Sequence, residues 1–154
     1  MVVAFETSGA VVSVAVAGPE GEIRERSYPG LGQVATTLMS TLLALCEETG
    51  LTLRDCQLVG LSLGPGSFTG LRVGVAAANA LAVALDCRVI GVSSLEVTAN
   101  AASTEQEVHL CLSPHRRGPF YGQLFRRSGS AWVASSQIEV GSVMQIVAAT
   151  GITR

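Results

Sequence analysis

The sequence predicts an α/β fold in which a mixed sheet is flanked by helices, and two observations support this prediction. First, the chain opens with three short segments rich in β-branched residues, separated by turn signals that favour antiparallel hairpins. Second, helical and strand patterns alternate after these segments, which favours parallel strands joined through helices. We therefore expect a sheet that is antiparallel at first and parallel later.

The N-terminal part contains the elements of this sheet. In chain order they are strands at 2–5, 11–17 and 22–28, a helix at 31–49, a strand at 58–63, a helix ending near 85, a strand at 87–92 and a short helix through 102. The strand at 22–28 alternates charged residues with others, which is typical of an edge strand. Ser93 or Ser94 is the expected N-cap of the short helix.

The character of the chain changes after residue 104. The expected elements are a strand at 108–112, a turn at 113–119, a hairpin of 120–125 with 131–140, and a helix at 143–149. A piece of about 50 residues is too small for a robust core of its own. We therefore divide the chain into a first lobe, 1–104, and an abbreviated second lobe, 105–154, that leans on the first.

Composition narrows the classes of function. The net charge is -2, so no overall field attracts nucleic acid. All ten basic residues are arginine, which excludes a P-loop lysine and a Schiff-base lysine. The chain is 48% hydrophobic and only 14% charged. We expect an exposed apolar face that a partner covers, the alternative being an ordinary monomer rich in alanine and valine.

Cysteine spacing and hydropathy bear on the compartment. The four cysteines are widely spaced and form no zinc pattern, which favours buried thiols in a reducing cytoplasm. No basic region precedes the first strand, so we expect no signal peptide. The most apolar stretch, 71–85, is short for a membrane span and includes Arg72 and Asn79, so we expect no membrane insertion.

The segment LGPGSFTG, residues 63–70, has two interpretations. Gly64, Gly66 and Gly70 give GxGxxxG, one residue longer than a dinucleotide fingerprint, and Pro65 removes an amide that a phosphate would use. An anion could still bind where Ser67 opens the following helix. Together, these residues favour a turn that only redirects the chain, which we call a structural elbow, over a loop that binds phosphate.

That helix has small residues at every fourth position: Gly70, Gly74, Ala78 and Ala82. Such a stripe allows another backbone to approach closely, and we expect that backbone to be a helix of a second subunit. The alternative is the helix at 31–49 of the same chain. The candidate interface residues are Gly70, Arg72, Val73, Gly74, Ala77, Ala78, Leu81 and Ala82.

Other polar residues give weaker signals. His109 and His115 are the only histidines, and no nucleophile elbow accompanies them, so we predict no protease. Arg116, Arg117, Arg126 and Arg127 could meet phosphate, although four charges bind only weakly and solvated arginines are the simpler interpretation. Trp132 is predicted to be local core.

The segment GPGSFTGLRVGVAAANALA, residues 64–82, closely resembles the signature of the TsaB family. VVAFETSGAVVSVAV resembles that family's first hairpin, and RVIGVSSLEVTANAA resembles the strand and helix after the signature, so the match covers roughly residues 1–102. The resemblance implies an actin/Hsp70/sugar-kinase type fold, ribonuclease H-like, with a complete first lobe and a truncated second lobe. Glu6, Thr7 and Ser8 lie at the phosphate-loop position of that fold class. With Ser67 they are the candidate phosphate or nucleotide contacts, the alternative being a turn that caps backbone amides.

The resemblance also implies a function. TsaB is a noncatalytic cytoplasmic subunit that pairs with the catalytic TsaD and the ATPase TsaE to place threonylcarbamoyl on adenosine 37 of tRNA, and alone it forms homodimers. It implies no catalytic residue, no metal, ATP with magnesium only at the level of the complex, and only indirect contact with tRNA. The alternatives are a reduced actin-fold ATPase or carbamoyl-transfer enzyme, and a diverged homologue without tRNA-modification activity.

This sequence departs from the family pattern at several positions. Glu6 replaces an aspartate, and Pro114 and Pro119 replace an aspartate and a glutamate, whereas Arg116, Gly118 and Tyr121 remain. A family histidine is absent near Gln33 and Val34. These changes weaken the expectation that this chain keeps the ligand contacts of the family. They do not affect the helix with small residues at every fourth position.

Overall fold

The computed structural model describes residues 1–30, 34–102, 105–114 and 118–152. These residues form two compact units, Met1–Val92 and Ser93–Arg154. The sequence places the boundary at residue 104, after the short helix, whereas the units divide before that helix. The reason is that the short helix packs on the strands that follow it in the chain.

The first unit is a five-stranded mixed sheet with helices on one face. Its elements are β1 (Val2–Glu6), β2 (Val11–Ala17), β3 (Ile23–Pro29), α1 (Val34–Thr49), a 3-10 turn (Leu53–Asp55), β4 (Leu58–Ser62), α2 (Phe68–Leu85) and β5 (Arg88–Val92). The strand order is β3-β2-β1-β4-β5. β1 to β3 pair antiparallel, and β4 pairs parallel with β1 and β5. The predicted change from antiparallel to parallel pairing is confirmed.

The core of the first unit lies between one face of the sheet and the two helices. The register places Val3, Phe5 and Val14 on this face together with Val59 and Leu61, and all five side chains are buried. Leucines of α1 and Ala78 and Leu81 of α2 complete the core. Strand side chains alternate between faces, and the opposite face exposes apolar residues: Val2, Val11, Ile23 and Ile90.

The strand β3 is the edge strand that its charge pattern predicts. Every residue of β3 except Tyr28 is exposed, and Arg26 forms an ion pair with Glu48 of α1. Charged side chains on such an edge discourage pairing with another sheet. Because both partners are about half exposed, the ion pair adds little stability.

The second unit is a four-stranded antiparallel sheet with one helix on each face. Its elements are α3 (Ser94–Ala101), β6 (Val108–Pro114), β7 (Phe120–Ser128), β8 (Ala131–Ala134), β9 (Glu139–Gly141) and α4 (Val143–Thr150). The helix α3 packs on the face that carries Cys111, Phe125 and Trp132. On the other face, a Cβ on Gly122 would overlap Ile146 of α4, so Gly122 allows that helix to approach closely. The predicted N-cap is confirmed, because Ser93 accepts a hydrogen bond from the amide of Leu95.

Two predictions for this unit are wrong in detail. β6 continues to Pro114, beyond the predicted end at 112. The single strand predicted at 131–140 is two strands, β8 and β9, which pair with the same edge of β7. The strand breaks because Ser135 and Ser136 both bond to the backbone of Leu124, so residues 135–138 bulge opposite only Gln123 and Leu124.

We predict that Leu42→Ala lowers the free energy of unfolding of the first unit by about 3 kcal/mol, because it leaves a cavity in the core. Leu42 is 0% exposed, whereas its neighbour Leu43 on the same helix is 49% exposed. Leu43→Ala is therefore the matched control, with an expected change of less than about 1 kcal/mol. Urea unfolding followed by far-UV circular dichroism measures both, since the single tryptophan, Trp132, lies in the second unit. Equal losses for the two variants would contradict this packing.

Candidate functional site

The glycine-rich segment joins β4 to α2 and lies against the turn between β1 and β2. Ser67 is the N-cap of α2, and its hydroxyl accepts a hydrogen bond from the amide of Gly70 at 3.3 Å. The amide of Ser67 donates to the carbonyl oxygen of Ser8 at 2.7 Å. The structure therefore brings Ser67 beside the Glu6-Thr7-Ser8 turn, although some sixty positions separate them in the chain.

The polar groups of this site bond mainly to one another. The amide of Ser8 donates to the carboxylate of Glu6 at 2.6 Å, and the hydroxyls of Ser8 and Ser62 lie 3.4 Å apart. The amide of Gly64 also donates to the Ser62 hydroxyl, at 3.4 Å. Thr7 and Ser8 are buried, and Glu6 is half-buried. Because these donors and acceptors are engaged within the chain, the geometry favours the structural elbow over the phosphate loop.

Three glycines make this close packing possible. A Cβ on Gly66 would overlap the Ser8 carbonyl oxygen, and one on Gly70 would overlap the Thr7 carbonyl oxygen. A Cβ on Gly74 would lie 2.5 Å from the Thr7 hydroxyl oxygen. The backbone that the stripe of small residues admits is thus the chain's own first turn. We call these contacts of Gly66, Gly70 and Gly74 with Thr7 and Ser8 the glycine clamp.

These intrachain contacts bear on the predicted partner interface. Gly70, Gly74, Ala78 and Leu81 are buried inside the first unit, so they offer little surface to a partner. Val73 and Ala77 are half-buried against the same core, and Ala82 is also half-buried. Arg72 is the one predicted interface residue that is exposed. The stripe of small residues allows a close backbone approach within the chain, at Thr7, and its part in a partner interface stays a prediction.

The side of α2 that points away from the sheet is apolar as well. Exposed residues of this helix include Phe68, Arg72, Val75, Ala76, Asn79, Ala80 and Val83, and we call this set of seven the outer face of α2. Val83 is 87% exposed and Phe68 is 74% exposed. The Arg72 guanidinium lies 5.5 Å from the centre of the Phe68 ring, in a cation–π contact. Leu71 joins five of these residues in lining a shallow groove of about 510 Å³.

The apolar character of α2 also bears on the membrane prediction. The helix has 18 residues with a mean hydropathy of 1.6, so by length and composition alone it is able to cross a membrane. It is longer than the stretch at 71–85 on which the sequence prediction rests, because it begins at Phe68. One side of it packs on β4 and β5 in the first unit. The feature that remains to be explained is the outer face.

Among the described residues of the second unit, the basic and aromatic side chains do not form one patch. Arg126 and Arg127 are neighbours on β7, so their side chains point to opposite faces of the sheet. Trp132 is buried, stacked on His109 with ring centres 4.0 Å apart, and the Arg127 guanidinium lies 5.5 Å from its ring centre. The burial of Trp132 fits its predicted role as local core. His115, Arg116 and Arg117 lie outside the described residues.

Potential metal ligands are scattered in the described part of the chain. Within residues 1–30, 34–102, 105–114 and 118–152, no group of three or more His, Cys, Asp or Glu side chains is placed to hold a metal ion. Asp55 has a structural role, because its carboxylate accepts hydrogen bonds from the hydroxyl and the amide of Thr52 at 2.7 and 3.1 Å. These bonds lower the pKa of Asp55 below its ordinary value.

We predict that Gly70→Ala destabilises the first unit by about 2 kcal/mol or more, because the new methyl group overlaps the Thr7 carbonyl. The gain of about 1 kcal/mol in helix propensity does not offset this overlap. Gly60→Ala in β4 is the control, since its Cβ would be 3.9 Å from the nearest atom, the Val3 carbonyl oxygen. Chemical denaturation of both variants tests the glycine clamp. A Gly70→Ala protein as stable as the parent would show that Thr7 can move aside to admit a side chain at position 70.

Comparison with known proteins identifies a family and two solved structures that this chain resembles. A family model described as TsaD, tRNA N6-adenosine threonylcarbamoyltransferase, matches residues 33–149. No curated protein matches the chain. Among solved structures, YeaZ from Pseudomonas aeruginosa superposes with a TM-score of 0.85 at 26% identity, over 91% of this chain and 66% of its own. A second structure, described as an uncharacterized protein with similarity to peptidase YeaZ from Pseudomonas aeruginosa, gives 0.86 at 26% identity, over 92% and 66%.

The chain therefore spans 66% of the length of both solved relatives. The mixed sheet of the first unit and this similarity confirm the predicted actin-like ATPase fold. YeaZ is TsaB, so the resemblance found in the signature at 64–82 is confirmed too. The chain belongs to the family of TsaD, tRNA N6-adenosine threonylcarbamoyltransferase, as a member that resembles YeaZ (TsaB).

Proposed function

We propose that this chain is a noncatalytic scaffold subunit of the complex that forms threonylcarbamoyladenosine in tRNA. In this proposal it binds a TsaD-like catalytic subunit through the outer face of α2, a TsaE-like ATPase joins the pair, and tRNA contacts the chain only indirectly. The cytoplasm is the expected compartment. The observation that carries the proposal is that α2 exposes an apolar face although its other side is already packed on the sheet.

The outer face of α2 has the form of a helix-packing surface. Phe68, Arg72, Val75, Asn79 and Val83 recur at intervals of three and four residues, so they line one side of the helix. Ala76 and Ala80 lie between the larger side chains and leave room for a facing helix. Arg72 is the only charged residue of this face, which limits the cost of desolvation on contact. The same surface would serve a homodimer when the chain is alone.

The geometry of the first turn supports a role without catalysis. The amide of Ser8 and the hydroxyl of Ser67 both bond within the chain. In the second unit, Pro114 and Pro119 replace the carboxylates expected from the family pattern. A proline ring offers no ligand to a metal or to a phosphate.

We predict that Val83→Arg abolishes pairing with a second copy and with a TsaD-like subunit, because it places a charge at the most exposed apolar position of the outer face. A cation near the C-terminus of α2 is favourable to the helix itself, so the variant should remain folded. Sedimentation velocity measures the homodimer, and co-purification measures the complex. Complementation of a bacterial strain depleted of its own TsaB tests the function.

Leu43→Arg is the matched control, since it places the same charge on an exposed apolar residue of α1. It should pair and complement as the parent does. If Val83→Arg also behaves like the parent, the outer face of α2 is not the interface. If the unchanged chain fails to complement although it pairs with TsaD, the protein is a diverged homologue.

A second candidate function is an ATPase or carbamoyl-transfer enzyme, which is favoured by the catalytic description of the matching family model. On the scaffold proposal, calorimetry with magnesium-ATP shows no saturable binding to the isolated chain. Saturable micromolar binding that Glu6→Ala removes and Glu25→Ala leaves intact would favour the enzyme. Glu25 is a suitable control because it lies exposed on β3.

A further inference from the structure

Two of the four cysteines lie at the same end of neighbouring parallel strands. Cys56 follows the 3-10 turn and precedes β4, and Cys87 follows α2 and precedes β5. The register pairs Leu58 with Arg88, and the amide of Arg88 donates to the carbonyl of Gln57 at 3.2 Å. Adjacent strands are about 4.8 Å apart. The same register sets Cys87 opposite Gln57, so Cys56 is offset from Cys87 by one residue, or about 3.3 Å along the strand, and the two Cα atoms are roughly 6 Å apart. A disulfide requires a Cα separation of roughly 4.4–6.8 Å.

Both side chains face the core of the first unit. Cys56 belongs to the buried cluster of that core, and Cys87 is one of the partly buried residues that pack against it. The sulfur of Cys56 lies 3.5 Å from the Leu58 carbonyl oxygen, and that of Cys87 lies 3.8 Å from the Leu81 carbonyl oxygen. Cys46 lies on α1, and Cys111 lies in the second unit.

Exposure differs between the two members of the pair. Cys56 is 4% exposed, whereas Cys87 is only partly buried, so a small oxidant in solution reaches Cys87 first. Burial raises the pKa of the Cys56 thiol, and the neighbouring Cys87 raises it further. A buried thiol with a raised pKa reacts slowly with an oxidant in solution, so Cys56 acts only in the second step, on the oxidised sulfur of the neighbouring Cys87.

We propose that Cys56 and Cys87 form a peroxide-sensitive dithiol that closes to an intramolecular disulfide between the starts of β4 and β5. Hydrogen peroxide takes two electrons from the Cys87 sulfur, which becomes a sulfenic acid while one water leaves. The Cys56 sulfur then attacks the oxidised sulfur of Cys87, its proton joins the departing hydroxide, and a second water forms. In sum, two thiols and one peroxide give one disulfide and two waters.

The disulfide would enclose residues 57–86, which include β4, the glycine-rich segment and α2. A crosslink of this kind restricts the unfolded chain, so the oxidised protein should unfold at a higher urea concentration than the reduced one. The crosslink joins elements that are already paired in the sheet, so it needs no rearrangement of the first unit.

The positions of the arginines allow the disulfide to be identified directly by tryptic digestion. The chain has no lysine, and Arg26, Arg54, Arg72, Arg88 and Arg116 place each cysteine in a different tryptic peptide. Cys56 falls in peptide 55–72 and Cys87 in peptide 73–88. After treatment of the folded chain with hydrogen peroxide, blocking of free thiols and digestion without reductant, mass spectrometry should find these two peptides joined. The peptides of Cys46 and Cys111 should carry the blocking group.

Two variants complete the experiment. Cys46→Ser should leave the joined peptide at the level of the parent, while Cys56→Ser should abolish it and leave Cys87 as a sulfinic acid or in a disulfide between molecules. The parent protein alone is decisive even if a variant fails to fold. The proposal is overturned if the parent gives no joined 55–72 and 73–88 peptide, if other cysteine pairs join as readily, or if Cys87 forms only intermolecular disulfides.

Discussion

The close approach of α2 to the first turn of the chain is the contact on which the first unit depends. At Gly70 and Gly74 the helix leaves no room for a side chain, because the carbonyl and hydroxyl of Thr7 occupy that space. Thr7 is buried by this contact, and the turn that it belongs to is bonded to the start of α2 through Ser8 and Ser67. Glycine is otherwise unfavourable inside a helix. We therefore attribute these two glycines to the short distance between α2 and Thr7.

The clamp also decides what the rest of α2 does. Once Gly70, Gly74 and Ala78 face the sheet, the residues about half a turn away must face outwards. Those residues are apolar, and among them Phe68 and Val83 are highly exposed. A cluster of exposed apolar side chains on a helix that is already packed on its other side is characteristic of a surface that binds another protein. A single backbone contact thus fixes the orientation of the surface that we assign to assembly.

In the first turn, hydrogen bonds within the chain engage polar groups of the candidate ligand contacts. Glu6, Ser8 and Ser67 lie together there, and their role toward a ligand stays a prediction. Their hydrogen-bonding groups stabilise the clamp itself, and a group already bonded within the protein gains little from a ligand. The dithiol at the other end of β4 and β5 is a separate feature, since it rests on strand register.

The sequence by itself determined most of the elements, because their signals are local. β-branched residues identified β2, alternating charge identified the edge strand β3, leucine spacing identified α1, and Ser93 or Ser94 marked the start of α3. It also determined the family, through a long signature within α2 and the segment before it. Only the tertiary structure decided which side of α2 faces inwards, that β8 and β9 are separate strands, and that Cys56 and Cys87 pack in the same core. The physical reason is that a stripe of small residues specifies a close contact but carries no information about which backbone makes it. Strand breaks and thiol pairs likewise depend on residues that are distant in the chain and meet only when the sheet has formed.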